Sequence, residues 1–327
     1  MNVRVFYHDR CFDGACSASI FTRFHRERIG TAKTFDYVGL AHQAGGVFNN
    51  VEYSEGENAI VDFKYSNAPE VTWWFDHHQS AFLSDADRAQ YEAGQKDGTE
   101  TMRKYFDPNY TSCTGLIAHV AHRDFGFDTA PLLELLHWAD IVDGAKYESA
   151  QAAVEMKEPA MKLTLVIESA PDSLFGQKLI PLLTEMPLQK VLDQDFVQEA
   201  LGPQLEKHHA SIEMIRERSK LERGTITFDI TDQPTEGYSK FIPYYLMPEA
   251  NYVVGLSKSS FRVKISVGTN PWTKLMPADL VNIAAICERY GGGGHARVGA
   301  ISFAPDKEED ARKAAAVIAE ELKKSPL

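Results

Sequence analysis

Asp76, His77 and His78 follow directly on the apolar run Trp73-Trp74-Phe75. A carboxylate beside two imidazoles is a donor set suited to a divalent cation. Buried, these groups are costly unless paired, hydrogen-bonded or coordinated. The aromatic and β-branched residues before them suit a pleated, buried strand, which puts the triplet at a strand end. Alone, it would equally serve as a polar turn. Other residues carry the same chemistry: His8, Asp13 and Asp62 at the ends of apolar runs, and Asp140 and Asp143, three residues apart on one helical face. Carboxylates mixed with imidazoles suit Mn2+, Mg2+ or Fe2+ better than a thiolate zinc site does. Two ions about 3.5 to 4 Å apart need roughly six or seven ligands, a shared carboxylate and an open position for water, and this inventory can supply them. Each residue by itself also fits a turn or a solvated helix position; their joint placement at element ends favours the metal.

The elements that position these groups follow from periodicity. Residues 3–7 alternate as a first strand ending at His8, 9–14 form a polar turn, and 15–24 read as a small-residue helix. Residues 31–40, 58–63 and 71–75 supply further strands, and 85–103, charged and glycine-containing, reads as a surface excursion. Thr111 or Ser112 caps a helix from 113 to about 122, and Pro131 opens an apolar helix that ends at Gly144. Residues 159–192 read as short helices interrupted by Pro171, Pro181 and Pro187. The stretch 193–222 reads as a long exposed helix broken at Pro203 and ended by Gly224, with His208 and His209 on a solvated surface. Strands at 225–230 and 261–267, a helix from 277 to about 289, four glycines at 291–294, another strand and a final Lys/Glu-rich helix complete the chain. Alternating strands and helices predict an α/β fold: a mostly parallel sheet flanked by helices, then a smaller C-terminal α/β domain with a mixed sheet. The expected boundaries are 1–192, a helical linker 193–223, and 224–327. The candidate ligands then fall beyond the carboxyl ends of the strands, where such sheets bind ligands.

Composition narrows the function. With 327 residues, 44% hydrophobic and 24% charged, the chain has room for two globular cores. A formal net charge of −12 argues against broad electrostatic binding of long duplex nucleic acid or an anionic membrane, while a short anionic ligand in a local cleft remains compatible. Four cysteines, Cys11, Cys16, Cys113 and Cys287, lack CxxC spacing and fit a reducing, cytoplasmic compartment. There is no signal-like start and no membrane-length apolar run.

Taken together, these motifs resemble the DHH family of phosphoesterases with its C-terminal, GGGH-bearing DHH-associated domain. His8 with Asp13-Gly14 resembles the first motif, Ile60-Val61-Asp62-Phe63 the second, Asp76-His77-His78 the third, and the acidic end of 138–144 the fourth. Gly292-Gly293-Gly294-His295, followed by Gly299-Ala300, resembles the associated domain's signature; residues 148–223 add little. The resemblance implies that His8, Asp13, Asp62, His77 and one of Asp140 or Asp143 hold two ions, manganese by preference, with Asp62 bridging. It implies catalytic support from Asp76, orienting His77, and from His78, facing a substrate phosphate. A metal-activated water would attack phosphorus in line. Gly292, Gly293, Gly294, His295 and Arg297 would hold the terminal phosphate of a nucleotide or short oligonucleotide; a tight turn between helix and strand is the other reading. The chain departs from the family at Cys11, which takes the first acidic position of Asp-x-Asp. That thiol either alters one metal position or is a small buried residue, with Asp9 or Asp36 as compensating carboxylates. Phe261 and Trp272 could stack a base, although core packing is preferred for each.

The expected activity is therefore hydrolysis of phosphate esters in short oligonucleotides or phosphorylated nucleotides, with a homodimer left open. Hydrolysis of pyrophosphate or polyphosphate, and a degenerate nucleotide-binding protein, are the competing readings.

Overall fold

The computed structural model describes residues 2–30, 32, 34–42, 46–49, 51–96, 103–233, 235 and 237–326. The chain divides into two compact units, Met1–Tyr147 with Met156–Gln204, and Glu148–Glu155 with Leu205–Leu327. In chain order, the elements up to this division are β1 (Asn2–His8), α1 (Phe12–Phe24), β2 (Thr34–Leu40), β3 (Glu57–Val61), β4 (Val71–Asp76), α2 (Asp85–Lys96), β5 (Arg103–Phe106), α3 (Cys113–Phe125) and α4 (Leu133–Asp143). They continue with α5 (Ala150–Val154), α6 (Pro159–Glu168), α7 (Leu174–Glu185), α8 (Leu188–Leu192) and α9 (Asp195–Arg218). Of these, α5 belongs to the second unit, and the division itself falls within α9.

Among the described residues, the first unit holds a five-stranded sheet in the order β2-β1-β3-β4-β5, with every pair parallel. Helices cover both faces of such a sheet, so its central strands read as continuous apolar runs. Trp73 and Trp74, adjacent on β4, illustrate this: both are fully buried, on opposite faces. Trp73 packs against Phe21, Phe24 and Phe125, and Trp74 against Tyr65, Phe82 and Tyr91. Each indole N–H is satisfied, Trp74 Nε1 donating to Phe63 O at 2.9 Å and Trp73 Nε1 to Glu57 Oε2 at 3.1 Å. Because β2 lies on one side of β1 and β3 on the other, the chain's direction across the sheet reverses there. A crevice forms at such a reversal, beyond the carboxyl ends of β1 and β3.

The second unit continues with β6 (Lys220–Glu222), β7 (Thr225–Asp229), α10 (Ile242–Leu246), β8 (Tyr252–Lys258), β9 (Val263–Thr269), α11 (Ile283–Glu288), β10 (Gly293–His295), β11 (Val298–Phe303) and α12 (Glu308–Leu322). Its sheet runs β10-β11-β9-β8-β7-β6, parallel only between β7 and β8 among the described pairs. Val254, Ile265, Val267 and Ile301 from the sheet pack with Ile283 and Ile286 of α11 and Ala315 and Ile318 of α12. The α/β class and the mixed second sheet are as the sequence predicts.

Several local expectations are corrected. Of residues 85–103, expected as a surface excursion, 85–96 form the largely exposed α2 and Arg103 opens β5, while 97–102 lie outside the described residues. Ser84 Oγ accepts the Asp87 N–H at 3.2 Å, and Asp85 and Asp87 sit in the first turn, where the helix dipole favours them. α9 runs through Pro203, because Val197 and Leu201 before it and Ile212 and Ile215 after it are buried and anchor both halves; it ends at Arg218, ahead of β6, rather than at Gly224. Pro181 likewise lies inside α7. His208 is buried rather than solvated, its Nε2 donating to Val154 O at 2.7 Å. The start of the strand expected from 31 lies partly outside the described residues; the strand observed is Thr34–Leu40. No helix among the described residues is long and apolar enough to cross a membrane.

Glu57 ties the sheet's amino end to the turn that follows α1. Its Oε2 bonds the fully buried His25 Nε2 at 2.6 Å as well as Trp73 Nε1. The His25 hydrogen bond holds the Glu57 carboxyl below its ordinary range; burial opposes this, and Trp73 and Arg103 assist. A depressed carboxylate contributes stability that is fully present above its unfolded pKa and is lost as pH falls through its folded one. Glu57→Ala strands two buried donors and should cost about 2 to 4 kcal/mol in urea denaturation near neutral pH. The deficit relative to wild type should shrink in acid.

Candidate metal centre

The crevice is built by three loops. At the end of β1, His8 is followed by a turn tied down through Asp9 N–H, which donates to Leu40 O at 2.9 Å. α1 then starts so close to β1 that a Cβ at Gly14 would lie 2.2 Å from His8 O, a position only glycine can fill. This brings Asp13, in the first turn of α1, under the sheet's carboxyl end, where it is buried. Its Oδ2 accepts from Cys113 N at 2.7 Å, and its Oδ1 from Thr114 N at 3.1 Å and Thr114 Oγ1 at 2.6 Å. An anion is favoured there, at the amino end of α3. Thr114 is a positioning residue that sequence patterning missed; Ser112, one of two caps considered, is the one observed, its Oγ accepting Gly115 N–H at 2.9 Å.

Asp62 follows β3 directly and has φ of 57°, a left-handed conformation costing on the order of 1 kcal/mol or more in a residue other than glycine. The conformation is pinned by Asp62 N–H donating to Phe75 O at 2.9 Å. Past β4, Asp76 Oδ1 accepts the backbone N–H groups of His77 at 2.8 Å and His78 at 3.1 Å, and bonds His78 Nδ1 at 2.7 Å. Asp76 therefore orients the ring of His78, whereas the ring of His77 is held elsewhere: its Nδ1 donates to Tyr110 O at 3.1 Å. On α4 the two carboxylates separate. Asp140 Oδ1 accepts from Ser112 Oγ at 2.6 Å, while Asp143 Oδ2 lies 3.6 Å from His77 Nε2.

His77 Nε2 also lies 3.5 Å from Asp62 Oδ1 and 3.8 Å from Asp13 Oδ2, and His8 Nδ1 lies 3.5 Å from Asp62 Oδ2. Yet His8 Nδ1, His77 Nε2 and both Asp62 oxygens are buried with no hydrogen-bond partner. Four such atoms converging in one crevice fit a bound cation, since buried polar groups are otherwise almost always paired. The His77 tautomer supports this: with Nδ1–H on the Tyr110 carbonyl, the neutral ring presents its Nε2 lone pair to carboxylates, as a second hydrogen bond does for a metal-binding imidazole. Three donor groups have atoms within 4.8 Å of one another: His8, Cys11 and Asp62; Asp62, His77 and His78; and Asp13, His77 and Asp143.

The electrostatics without a cation follow from the crowding. Burial, then the charges of Asp62 and Asp143, pushes Asp13 well above its ordinary range, and burial with Asp62 raises Asp143. Burial pushes Asp62 up as well, but the imidazoles of His77 and His8 overcome it and hold Asp62 at about 2. For His77, burial opposes protonation, but Asp62 and Asp13 drive it up to about 10. A proton thus occupies the place that suits a metal ion, and metal uptake must displace it.

The other candidates lie apart. Asp9 accepts from Ser173 Oγ at 2.8 Å, and Asp36 Oδ2 pairs with Asn2 Nδ2 at 2.6 Å and Arg4 at 3.5 Å at the far end of the sheet, so each is engaged elsewhere. His42, missed because it sits in a loop without periodicity, places its ring 5.4 Å from that of His8 and stacks on Phe63. In the second unit, Gly293, Gly294 and His295 form β10, and a Cβ on Gly292 or Gly294 would lie 2.3 or 2.2 Å from a carbonyl oxygen of β11. Packing thus accounts for two of the glycines. The N–H groups of Gly291 and Gly292 are also committed, to Glu288 O at 3.0 Å and Cys287 O at 2.9 Å. The side chains of His295 and Arg297 remain exposed at this sheet edge. Phe261 is 63% exposed, contrary to the core role preferred for it, and Trp272 packs 5.7 Å from Phe241.

No protein-family model and no curated protein matches the sequence. Solved structures do match its fold. A pGpG-specific phosphodiesterase, PggH, from Vibrio cholerae superposes with a TM-score of 0.69 at 18% identity, covering 98% of this chain and 100% of that one. The DHH domain of a protein described as a member of a ribosomal-protein family gives a TM-score of 0.58 at 15% identity, over 100% of this chain and 87% of that one. The chain has the DHH fold. RecJ from Thermus thermophilus, solved in complex with Mn2+, shares it at a TM-score of 0.56 and 14% identity, over 100% of this chain and 53% of RecJ.

The different partners of Asp140 and Asp143 predict different losses. Asp143→Asn should reduce divalent metal retained per chain, measured by elemental analysis after loading and desalting, with little change in the thermal midpoint of the metal-free protein. Asp140→Ala should cost about 1 to 2 kcal/mol of stability through Ser112 and leave the metal content unchanged.

Proposed function

We propose that the protein is a metal-dependent phosphoesterase acting on short oligonucleotides or phosphorylated nucleotides. One observation carries this reading: Asp62, buried and without a hydrogen-bond donor on either oxygen, lies between two sets of candidate ligands, as a bridging carboxylate does. His8 and Cys11 form one set with it, and Asp13, His77 and Asp143 the other; Mn2+ fits the carboxylate and imidazole donors of the second set, and Mn2+ is the ion in the RecJ complex of the same fold. Divalent ions held there supply Lewis acidity and lower the pKa of a bound water.

The chain's own residues supply the rest. Asp76 fixes His78 through Nδ1, leaving Nε2 as the free nitrogen of a ring that is 40% exposed. The hydrogen bond to Asp76 raises the pKa of His78, and burial works against it. A protonated His78 donates to a phosphate oxygen, binding the ester and offsetting charge that develops on it in the transition state. In the second unit, the exposed His295 and Arg297 offer a phosphate contact, Arg297 a bidentate one. The free thiols of all four cysteines fit a cytoplasmic setting. The net charge of −12 disfavours long duplexes, and the fold likeness to a pGpG phosphodiesterase across nearly the whole chain favours dinucleotides.

The test is a substrate panel with Mn2+-loaded full-length protein: pGpG and other 5′-phosphorylated dinucleotides, 3′,5′-bisphosphonucleosides, pyrophosphate and polyphosphate. Turnover of nucleotide esters is expected, with kcat reduced by about 100-fold or more in Asp62→Asn. Turnover of the base-free compounds alone would overturn the nucleotide reading, and inactivity across the panel with nucleotide still bound would make the protein a binding module. The pH profile is a second check. Because the donor form of His78 is the protonated one and its pKa is raised, activity should fall on the alkaline side of that pKa. His78→Gln should remove that limb and lower kcat by about 10- to 100-fold at unchanged metal content. Loss of metal in this variant would instead make His78 a ligand.

A further inference from the structure

Cys11 occupies the N-cap position of α1 without capping it. Its backbone is extended, with φ −124° and ψ 131°, it makes no side-chain cap hydrogen bond, and the Gly14 N–H only partly offsets the burial that pushes its thiol up. Serine, threonine, aspartate or asparagine would stabilise that position by about 1 kcal/mol, so a thiol here serves helix formation poorly. What its sulfur does have is a pair of neighbours. Sγ of Cys11, a ring nitrogen of His8 and a carboxylate oxygen of Asp62 all lie within 4.8 Å of one another. Two of these neighbours are short of partners: His8 Nδ1 and Asp62 Oδ2 are buried, 3.5 Å apart and without a hydrogen bond, and Asp62 as a residue is only 1% exposed. Cys16 and Cys113 are fully buried, and Cys113 Sγ is engaged with Phe75 O at 3.4 Å. Cys11 alone among these three is partly exposed.

We infer that Cys11 Sγ is a metal ligand and that the centre is chemically asymmetric. One position, made by His8, Cys11 and Asp62, takes a borderline cation such as Zn2+, Fe2+ or Co2+. The other, made by Asp13, His77, Asp143 and the second oxygen of Asp62, takes a hard cation such as Mn2+ or Mg2+. The inference rests on the two-ion reading above. Nitrogen, sulfur and oxygen donors select softer ions than carboxylates and imidazole do, so the two positions differ in preference although they share a carboxylate. Ligation replaces the S–H bond with a sulfur–metal bond and releases one proton to solvent.

Cobalt titration of the full-length protein tests this without reference to activity. Wild type should bind two Co2+ per chain and develop a near-ultraviolet thiolate-to-cobalt charge-transfer band that saturates with one equivalent. The band should be absent in Cys11→Ser and Cys11→Asp and retained in Cys16→Ala. Both Cys11 variants introduce better N-cap residues, so the fold should be kept, which thermal denaturation checks. Cys11→Asp should still bind two ions but lose its discrimination for Zn2+ over Mn2+ at one position by about tenfold or more. Two bound cobalt ions without the band, or a band that survives in Cys11→Ser, would overturn the role of Cys11 while leaving the two-ion centre standing. A chain that takes up no cobalt, manganese or zinc would overturn the proposed function together with this inference.

Discussion

Carboxylates crowded around one imidazole, the buried Asp13 and Asp62 and the solvent-reaching Asp143, set the terms for the first unit. Oxygens of Asp13 and Asp143 and the Nε2 of His77 lie within 4.8 Å of one another. At an effective dielectric of about 20, two unit negative charges at that separation repel by roughly 3 to 4 kcal/mol. Such a cost persists in a marginally stable protein only where a counter-charge offsets it or the surrounding fold over-determines the arrangement. Both conditions bear on this centre. Without a metal the counter-charge is a proton on His77, driven up to about 10 by Asp62 and Asp13.

Over-determination comes from the sheet. The parallel order β2-β1-β3-β4-β5 brings the carboxyl ends of β1 and β3 side by side, so His8 and Asp62 meet although 54 positions separate them in sequence. β4, one strand further on, delivers Asp76, His77 and His78 to the same edge. α3 and the loop before it finish the arrangement with backbone groups: α3 presents two N–H donors to Asp13, and Tyr110 O, in the loop, fixes the ring of His77. These contacts leave His77 Nε2 and both Asp62 oxygens without a hydrogen-bond partner.

Much of this was legible from residue patterns, because strand ends are where alternating or continuous apolar runs stop on a polar group. The runs ending near His8, Asp62 and Asp76 made the α/β class and the site's edge readable. What was not legible depends on contacts distant in sequence. Whether Asp140 or Asp143 faces the cluster turns on Ser112, 28 residues away from Asp140 and chosen as a cap only by the way α3 docks. The division of labour between Asp76 and Tyr110 in holding the two histidines is likewise a tertiary fact. α2 was hidden by its polarity: with few apolar residues beyond Tyr91, it shows no stripe of its own, and it is stabilised at its start by Ser84 and by Tyr91 packing on Trp74. In the second unit the four glycines drew attention as an anion loop, yet two of them are required by the close approach of β11. Composition does not separate steric need from ligand need; the commitment of the Gly291 and Gly292 amides does.

A consistent physical distinction runs through the acidic residues of this unit. Asp9, Asp36, Glu57, Asp76 and Asp140 each have donors aimed at them from serine, asparagine, arginine, histidine, tryptophan or backbone groups. Those carboxylates hold elements together through donors on at least one oxygen, although Asp76 keeps its Oδ2 buried and without a partner. Asp62 is their opposite: more deeply buried than most of them, strained in its backbone, and without a donor on either oxygen. Its charge is offset by the imidazoles of His77 and His8 rather than by hydrogen bonds, which leaves both oxygens open toward the crevice. With a histidine on each side and Cys11 beside one of them, the donors around Asp62 already differ in softness across its two oxygens. The asymmetry therefore precedes any ion, and it is set by which residue stands at the N-cap of α1.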